Sequence, residues 1–214
     1  SSATRARSRL IASARAVQEA VLAWSAAEVG PSLLVELAPG AAPSTSTEQD
    51  GINAIHFIRE DWPFDAGKLA VTVAHRDPRT FELFEIDVAI NADDFVWSTK
   101  PVPDPGTYDL QNAITHELGH VLGLGELNAH PDATMFGEIR EQEVSKRDLN
   151  ASDIAALDDL YRGVRFDDDD ISAIGCQNLP SAGWQPFGSL AVFLLGWRRR
   201  DRGSRFKEAI PTSP

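Results

Sequence analysis

Near its start the chain places an apolar residue at every third or fourth position, at Leu10, Ala14, Val17, Val21 and Trp24. That period lays one stripe along a helix, predicted from about Ser8 to Ala27 and stopped by Gly30 and Pro31. The pattern then changes to short runs. "LLVEL" at 33–37 and "INAIHFI" at 52–58 read as strands, separated by a Pro/Ser/Thr-rich loop at 38–51 with no apolar period. Leu69, Val71 and Val73 alternate with Ala70, Thr72 and Ala74; after "RDPR" a second alternation runs through Phe84, Ile86, Val88 and Ile90. Two alternating runs about one turn predict a hairpin. A polar connection over 91–107, interrupted by Pro101, Pro103 and Pro105, leads to a helix predicted over Tyr108–Leu122. A last helix is predicted in "LNASDIAALDDLYRG", where Asn150 and Asp153 have capping-box spacing and Gly163 supplies the stop.

With 214 residues, 43% of them hydrophobic, the chain can bury one sizeable core, which predicts a single domain with short appendages. Its 32 acidic and 20 basic residues give a net charge of −12, which repels phosphate backbones and excludes nucleic acid as the expected partner. The charge is uneven, dividing into −16 over residues 1–176 and +4 over the remainder. A basic tail on an acidic body suggests a tail with its own task. The single cysteine, Cys176, rules out an internal disulfide. Arg15, Gln18 and Glu19 interrupt any apolar stretch near the N-terminus, so that stretch does not read as a secretory signal.

Chemistry concentrates in "THELGHVLGLGELNAH", Thr115–His130, which holds three of the five histidines. On a helix, His116 and His120 leave the same face one turn apart and can share a cation, and Glu117 can reach a water on it. The plain alternative is a helix with two solvated histidines. Gly119, Gly123 and Gly125 weigh against that alternative, since each costs about 1 kcal/mol against alanine inside a helix. Gly123 stands where a sharp turn would let the next loop present a third ligand.

"HELGHVLGLGE" resembles the extended zinc signature of the metzincin clan, H-E-x-x-H-x-x-G-x-x-H, and "LGLG" resembles its matrixin branch. "ATMF" at 133–136, holding the only methionine, Met135, is similar to the Met-turn that follows that signature. The resemblance extends over roughly residues 8–163. It implies an α+β, metzincin-like fold for residues 1–164: a mixed twisted sheet with a strand hairpin, a zinc-binding helix, a Met-turn and a C-terminal helix. It further implies a zinc endopeptidase in which Glu117 is the general base and Met135 an apolar floor beneath Zn2+. A polypeptide substrate would then lie extended along the Leu69–His75 edge. The sequence departs from the signature at the third ligand, where Glu126 stands in place of histidine. Glu126, His130 or neither could complete the site; a carboxylate is a competent zinc ligand but leaves the metal a weaker Lewis acid. The family's first strand, which by the resemblance lies inside the sheet, has no counterpart in the residues ahead of the first helix; the chain is a fragment, has a wrongly assigned start, or, if the strand is truly absent, has a gap in the middle of the sheet. His56 and His75, in strand patterns without a partner at ligand spacing, are expected as partly buried or surface histidines.

Beyond this domain, residues 165–175 with "FDDDD" read as an acidic linker, 176–203 as a sorting and anchor segment, and 204–214 as a tail. The apolar run Phe187–Trp197 is eleven residues long, shorter than the roughly 20 that span a bilayer and short enough for a buried helix. Arg198, Arg199 and Arg200 follow it directly, as basic residues follow the end of a membrane segment. Gly175-Cys176, the apolar run and these arginines together resemble the myxobacterial C-terminal sorting signal, MYXO-CTERM. That resemblance implies export, processing near Cys176 and membrane association at the cell surface or outer membrane of a bacterium. Two rival functions stand beside the anchored endopeptidase: a catalytically silent metzincin-fold binding module, and an intracellular peptidase with an unrelated tail. Cleavage preference and oligomeric state are not legible from the sequence.

Overall fold

The computed structural model describes residues 2–39, 49–80, 83–163 and 190–195. Helix α1 spans Ser2–Ser25, β1 Leu34–Pro39, β2 Ala54–Ile58, β3 Ala70–Arg76 and β4 Leu83–Asn91. A two-residue pair follows, β5 (Trp97–Ser98) with β6 (Tyr108–Asp109), then α2 (Leu110–Val121), a 3-10 turn at Ser145–Arg147, α3 (Ala151–Tyr161) and β7 (Leu190–Leu195). Helix α1 begins about two turns earlier than its apolar stripe. Those first turns carry Arg and Ser with no apolar period to detect, and Ser8 bonds back to the Thr4 carbonyl at 3.0 Å. The zinc-motif helix starts two residues later than predicted, because Tyr108 and Asp109 pair with Trp97 and Ser98 as strand.

The five-stranded sheet runs β1-β7-β2-β4-β3; β2 and β4 are parallel, and the β3–β4 hairpin is antiparallel as predicted. Strand β7 lies between β1 and β2, antiparallel to both. This strand comes from the centre of the apolar run 187–197, which the sequence pattern assigned to an anchor or a packed helix. No helix among the described residues is long and apolar enough to cross a membrane. The acidic linker, Cys176 and Arg198–Arg200 lie outside the described residues.

Helices α1 and α2 pack together on one face of the sheet. Val17, Val21 and Trp24 of the predicted stripe meet Ile114 and Leu118 of α2, with Ile55, Val88 and Ile90 of the sheet below. The Trp24 indole N–H donates to the Thr115 carbonyl at 2.7 Å, fixing α1 across the motif helix. On β3 the residues opposite Ile90, Val88 and Ile86 are Ala70, Thr72 and Ala74, so the small side chains face the helices and the valines the other side. That choice lets α2 approach β3 closely.

Strand β4 is buried on both faces from Glu85 to Asn91, although its alternation suggests one wet face. The segments flanking β2 and the start of β2 itself supply backbone partners to the polar residues of β4. Glu85 accepts the N–H groups of Asp50 and Gly51, Asp87 accepts that of Ala54, and the Asn91 amide donates to the Lys68 carbonyl.

Candidate metal centre

Helix α2 is fixed at its start by Asp109, fully buried, whose carboxylate accepts the Asn112 N–H at 2.8 Å and the Arg147 Nε–H at 2.9 Å. Its C-terminal end is a Schellman turn: Gly123, at φ 91°, donates to the His120 carbonyl, and Leu124 to that of Gly119. The reversal brings Leu124 beside His120 and carries Glu126 back toward the helix.

The His116 Nδ1 lies 2.7 Å from the Thr134 carbonyl and the His120 Nδ1 2.8 Å from the Leu124 carbonyl. Since carbonyls only accept, both Nδ1 atoms carry the proton and both Nε2 atoms keep a free lone pair. Those two Nε2 atoms stand 3.7 and 3.6 Å from one oxygen of Glu126. Zinc with bonds of about 2.0–2.1 Å places tetrahedral ligand atoms about 3.4 Å apart, so the three groups fit one ion after a small contraction. Space for the carboxylate depends on Gly137, where a Cβ would stand 2.9 Å from Glu126 Oε2. His130 is exposed and lies outside this group, in a turn donating its N–H to the Leu127 carbonyl.

Burial pushes the metal-free His116 pKa down, but the Glu126 and Glu117 carboxylates and the Thr134 carbonyl outweigh it and leave it raised. His116 in turn holds the Glu126 carboxyl below its ordinary value. The carboxylate is therefore ready to bind while a proton competes for the imidazole, so metal affinity falls as pH drops.

The sequence pattern missed three supporting residues. Thr72, on β3, donates its hydroxyl to Glu117 Oε2 at 2.6 Å, across a pairing of distant segments that no local spacing announces. Asp153 forms the predicted capping box with Asn150, and its carboxylate also accepts the N–H groups of Thr134 and Met135 at 2.8 and 3.0 Å. This clamp ties the Met-turn to α3 and so orients the carbonyl that fixes His116. The third is Lys146, 2% exposed, whose ammonium donates to the Phe136 carbonyl directly after the Met-turn methionine.

Met135 is fully buried against Gly119, where a Cβ would lie 2.1 Å from its sulfur and 2.8 Å from the Trp24 ring. Gly119 thus serves close packing and Gly123 the turn, while nothing lies near Gly125. Gly119→Ala is expected to destabilise by about 1–3 kcal/mol through overpacking, exceeding the ~1 kcal/mol gained in helix propensity. Thermal unfolding of the zinc-free and zinc-loaded protein reads this as a Tm lowered by several degrees.

A second group, His75, Glu85 and Asp87, also clusters. Its carboxylates are engaged by the 50–54 backbone, with His56 3.5 Å from Asp87 and His75 4.0 Å from Glu85. It stitches that segment to β4.

A cleft of about 890 Å3 runs beside the metal centre, lined by β3 from Leu69 to Thr72 on one side and by Gly137 to Arg140 on the other. Strand β3 is the sheet edge, paired only with β4 among the described residues, so its free backbone groups border this groove. A comparison with curated proteins returns no match. The family model for matrixins matches residues 41–162, from the loop before β2 through the metal centre to the end of α3. With its α+β architecture and paired histidines within that span, the chain belongs to the matrixin family of zinc-dependent metalloendopeptidases.

Proposed function

We propose that this protein is an endopeptidase that holds zinc through His116, His120 and Glu126 and uses Glu117 as its general base. The observation that carries the assignment is one Glu126 oxygen within 3.7 Å of both free Nε2 atoms, whose Nδ1 partners are already fixed. Zinc, when bound, supplies the Lewis acid that polarises the scissile carbonyl and acidifies the attacking water. Glu117 takes the proton from that water and returns it to the leaving amine. Its Oε2 is held by Thr72, which leaves the other oxygen to carry the proton. An unfolded polypeptide segment adds as a strand along β3, whose unpaired edge supplies the backbone hydrogen bonds that keep it extended.

Metal content measured together with digestion of an unstructured protein tests this reading, comparing wild type with Glu117→Ala. Zinc bound by both and cleavage by wild type alone is the expected result. Zinc without Glu117-dependent cleavage would instead identify a silent binding module. Thr72→Val, nearly isosteric, should lower kcat about tenfold with KM and zinc content unchanged, because a bond to a charged acceptor worth roughly 1.5–3 kcal/mol is lost. Steady-state kinetics on a quenched peptide checks it.

We further propose export and retention at the cell surface through residues 176–203. Support comes from Gly175-Cys176, the apolar run and Arg198–Arg200 in that order. The same run contributes β7, so membrane insertion and sheet completion are alternative uses of it. Membrane fractionation of the wild type and Cys176→Ser tests the anchor; an unchanged soluble fraction for both would overturn it.

A further inference from the structure

Buried lysines are rare, and the contacts of Lys146 join two parts of the site. Its backbone N–H donates to Asn112 Oδ1 at 2.7 Å, which seats the 3-10 turn on α2 one turn before His116. Its ammonium donates to the Phe136 carbonyl and sits 5.7 Å from the centre of the Phe136 ring. Phe136 stands at a boundary. Before it, Thr134 and Met135 give their N–H groups to Asp153, and the Met135 carbonyl accepts that of Leu127. After it comes the rim of the cleft, Gly137 to Arg140, across from β3. This rim belongs to no helix or strand, and among the described residues no hydrogen bond reaches the backbone of Gly137, Glu138 or Ile139. It is a span between two anchors. One is Phe136, held by the ammonium; the other is Gln142, which donates its N–H to the Thr107 carbonyl at 3.0 Å and its amide to that of Pro103 at 3.1 Å.

We propose that Lys146 is a positioning residue for substrate: it ties the start of the 137–140 rim to the helix that carries His116, Glu117 and His120, and so fixes where that rim stands relative to β3. The inference rests on the endopeptidase reading, in which a polypeptide lies along β3 in this cleft. Asp153 secures the residues that orient His116, and Lys146 secures the residue from which the rim departs. Without the ammonium the half-buried Phe136 carbonyl turns to water and the rim drifts, while the metal ligands keep their own partners. A polypeptide entering a cleft with a loose rim has to order that rim as it binds. The loss therefore falls on affinity, not on the turnover of bound substrate.

The test is the binding of fluorescein-labelled casein, an unstructured polypeptide, followed by anisotropy in the Glu117→Ala background so that no hydrolysis intervenes. Lys146→Met fills the same space without the donor and spares the burial of an amine, so its Tm should equal or exceed that of the parent. Its affinity for the labelled polypeptide should be about tenfold weaker, the effect of one lost bond from a charged donor. With Glu117 restored, zinc content and kcat should stay within about twofold of wild type while KM rises. A merely structural lysine would instead lower Tm and zinc content together with affinity. Binding without cleavage by the wild type would remove the endopeptidase reading, and the binding comparison would still decide the role of Lys146. Should Lys146→Met fail to fold, Gln142→Gly loosens the other anchor at an exposed residue whose φ of 61° glycine adopts freely, and should weaken binding severalfold. Unchanged affinity in a folded Lys146→Met, unchanged affinity in Gln142→Gly where Lys146→Met does not fold, or no binding by the parent overturns the proposal.

Discussion

Glu126→Ala should weaken zinc binding by about a hundredfold or more, while His130→Ala leaves it unchanged. Zinc sites bind with about 10–16 kcal/mol at neutral pH, so one ligand among three or four carries roughly 3 kcal/mol. The two residues are four apart in the loop, yet only Glu126 converges on both Nε2 atoms; His130 is exposed outside the group. The loop around Glu126 is fixed independently of metal, because Leu127 donates its N–H to the Met135 carbonyl at 2.8 Å and Gly137 leaves room for the carboxylate. Truncation therefore removes a ligand without releasing its segment. Chelator competition at neutral pH gives both affinities, and a loss confined to His130→Ala would reassign the third ligand.

Glu117→Gln should lower kcat by about 10²–10⁴-fold, the usual contribution of a positioned general base, with zinc content and KM nearly unchanged. Glutamine keeps the shape of the side chain and a carbonyl oxygen for the Thr72 hydroxyl, so the contact between α2 and β3 survives. What disappears is the basic oxygen. Steady-state kinetics with metal analysis separates this from misfolding, and a loss below about tenfold would take the proton-transfer role away from Glu117. Thr72→Val is expected to fall between this variant and wild type, because it loosens the base without removing it.

The sequence by itself determined the three helices, the strands β1 and β2, the β3–β4 hairpin and the pair of histidines. An apolar stripe is a local property of the chain, as is the four-residue spacing that puts His116 and His120 on one helical face, and so is the Asn150–Asp153 capping box. The metal-binding family was legible for the same reason, since its signature lies within one continuous stretch of chain. The tertiary structure decided everything that depends on groups far apart in sequence. That Glu126 and not His130 stands near both Nε2 atoms depends on the path of the chain after Gly123, where both remain within reach by spacing alone. The jobs of Thr72 and Asp153 are bonds across 45 and 19 residues, and the burial of Glu85 and Asp87 comes from a segment more than thirty residues away. A strand's alternation reports only that its two faces differ, so it could not reveal that the polar face of β4 would be covered. Nor could it say that six residues near the chain's end would lie between β1 and β2, because strand pairing is settled by backbone hydrogen bonds that any apolar run can offer. Lys146 is the clearest case: nothing in "VSKRD" marks a buried charge, and only the packing of its turn against α2 takes it out of solvent.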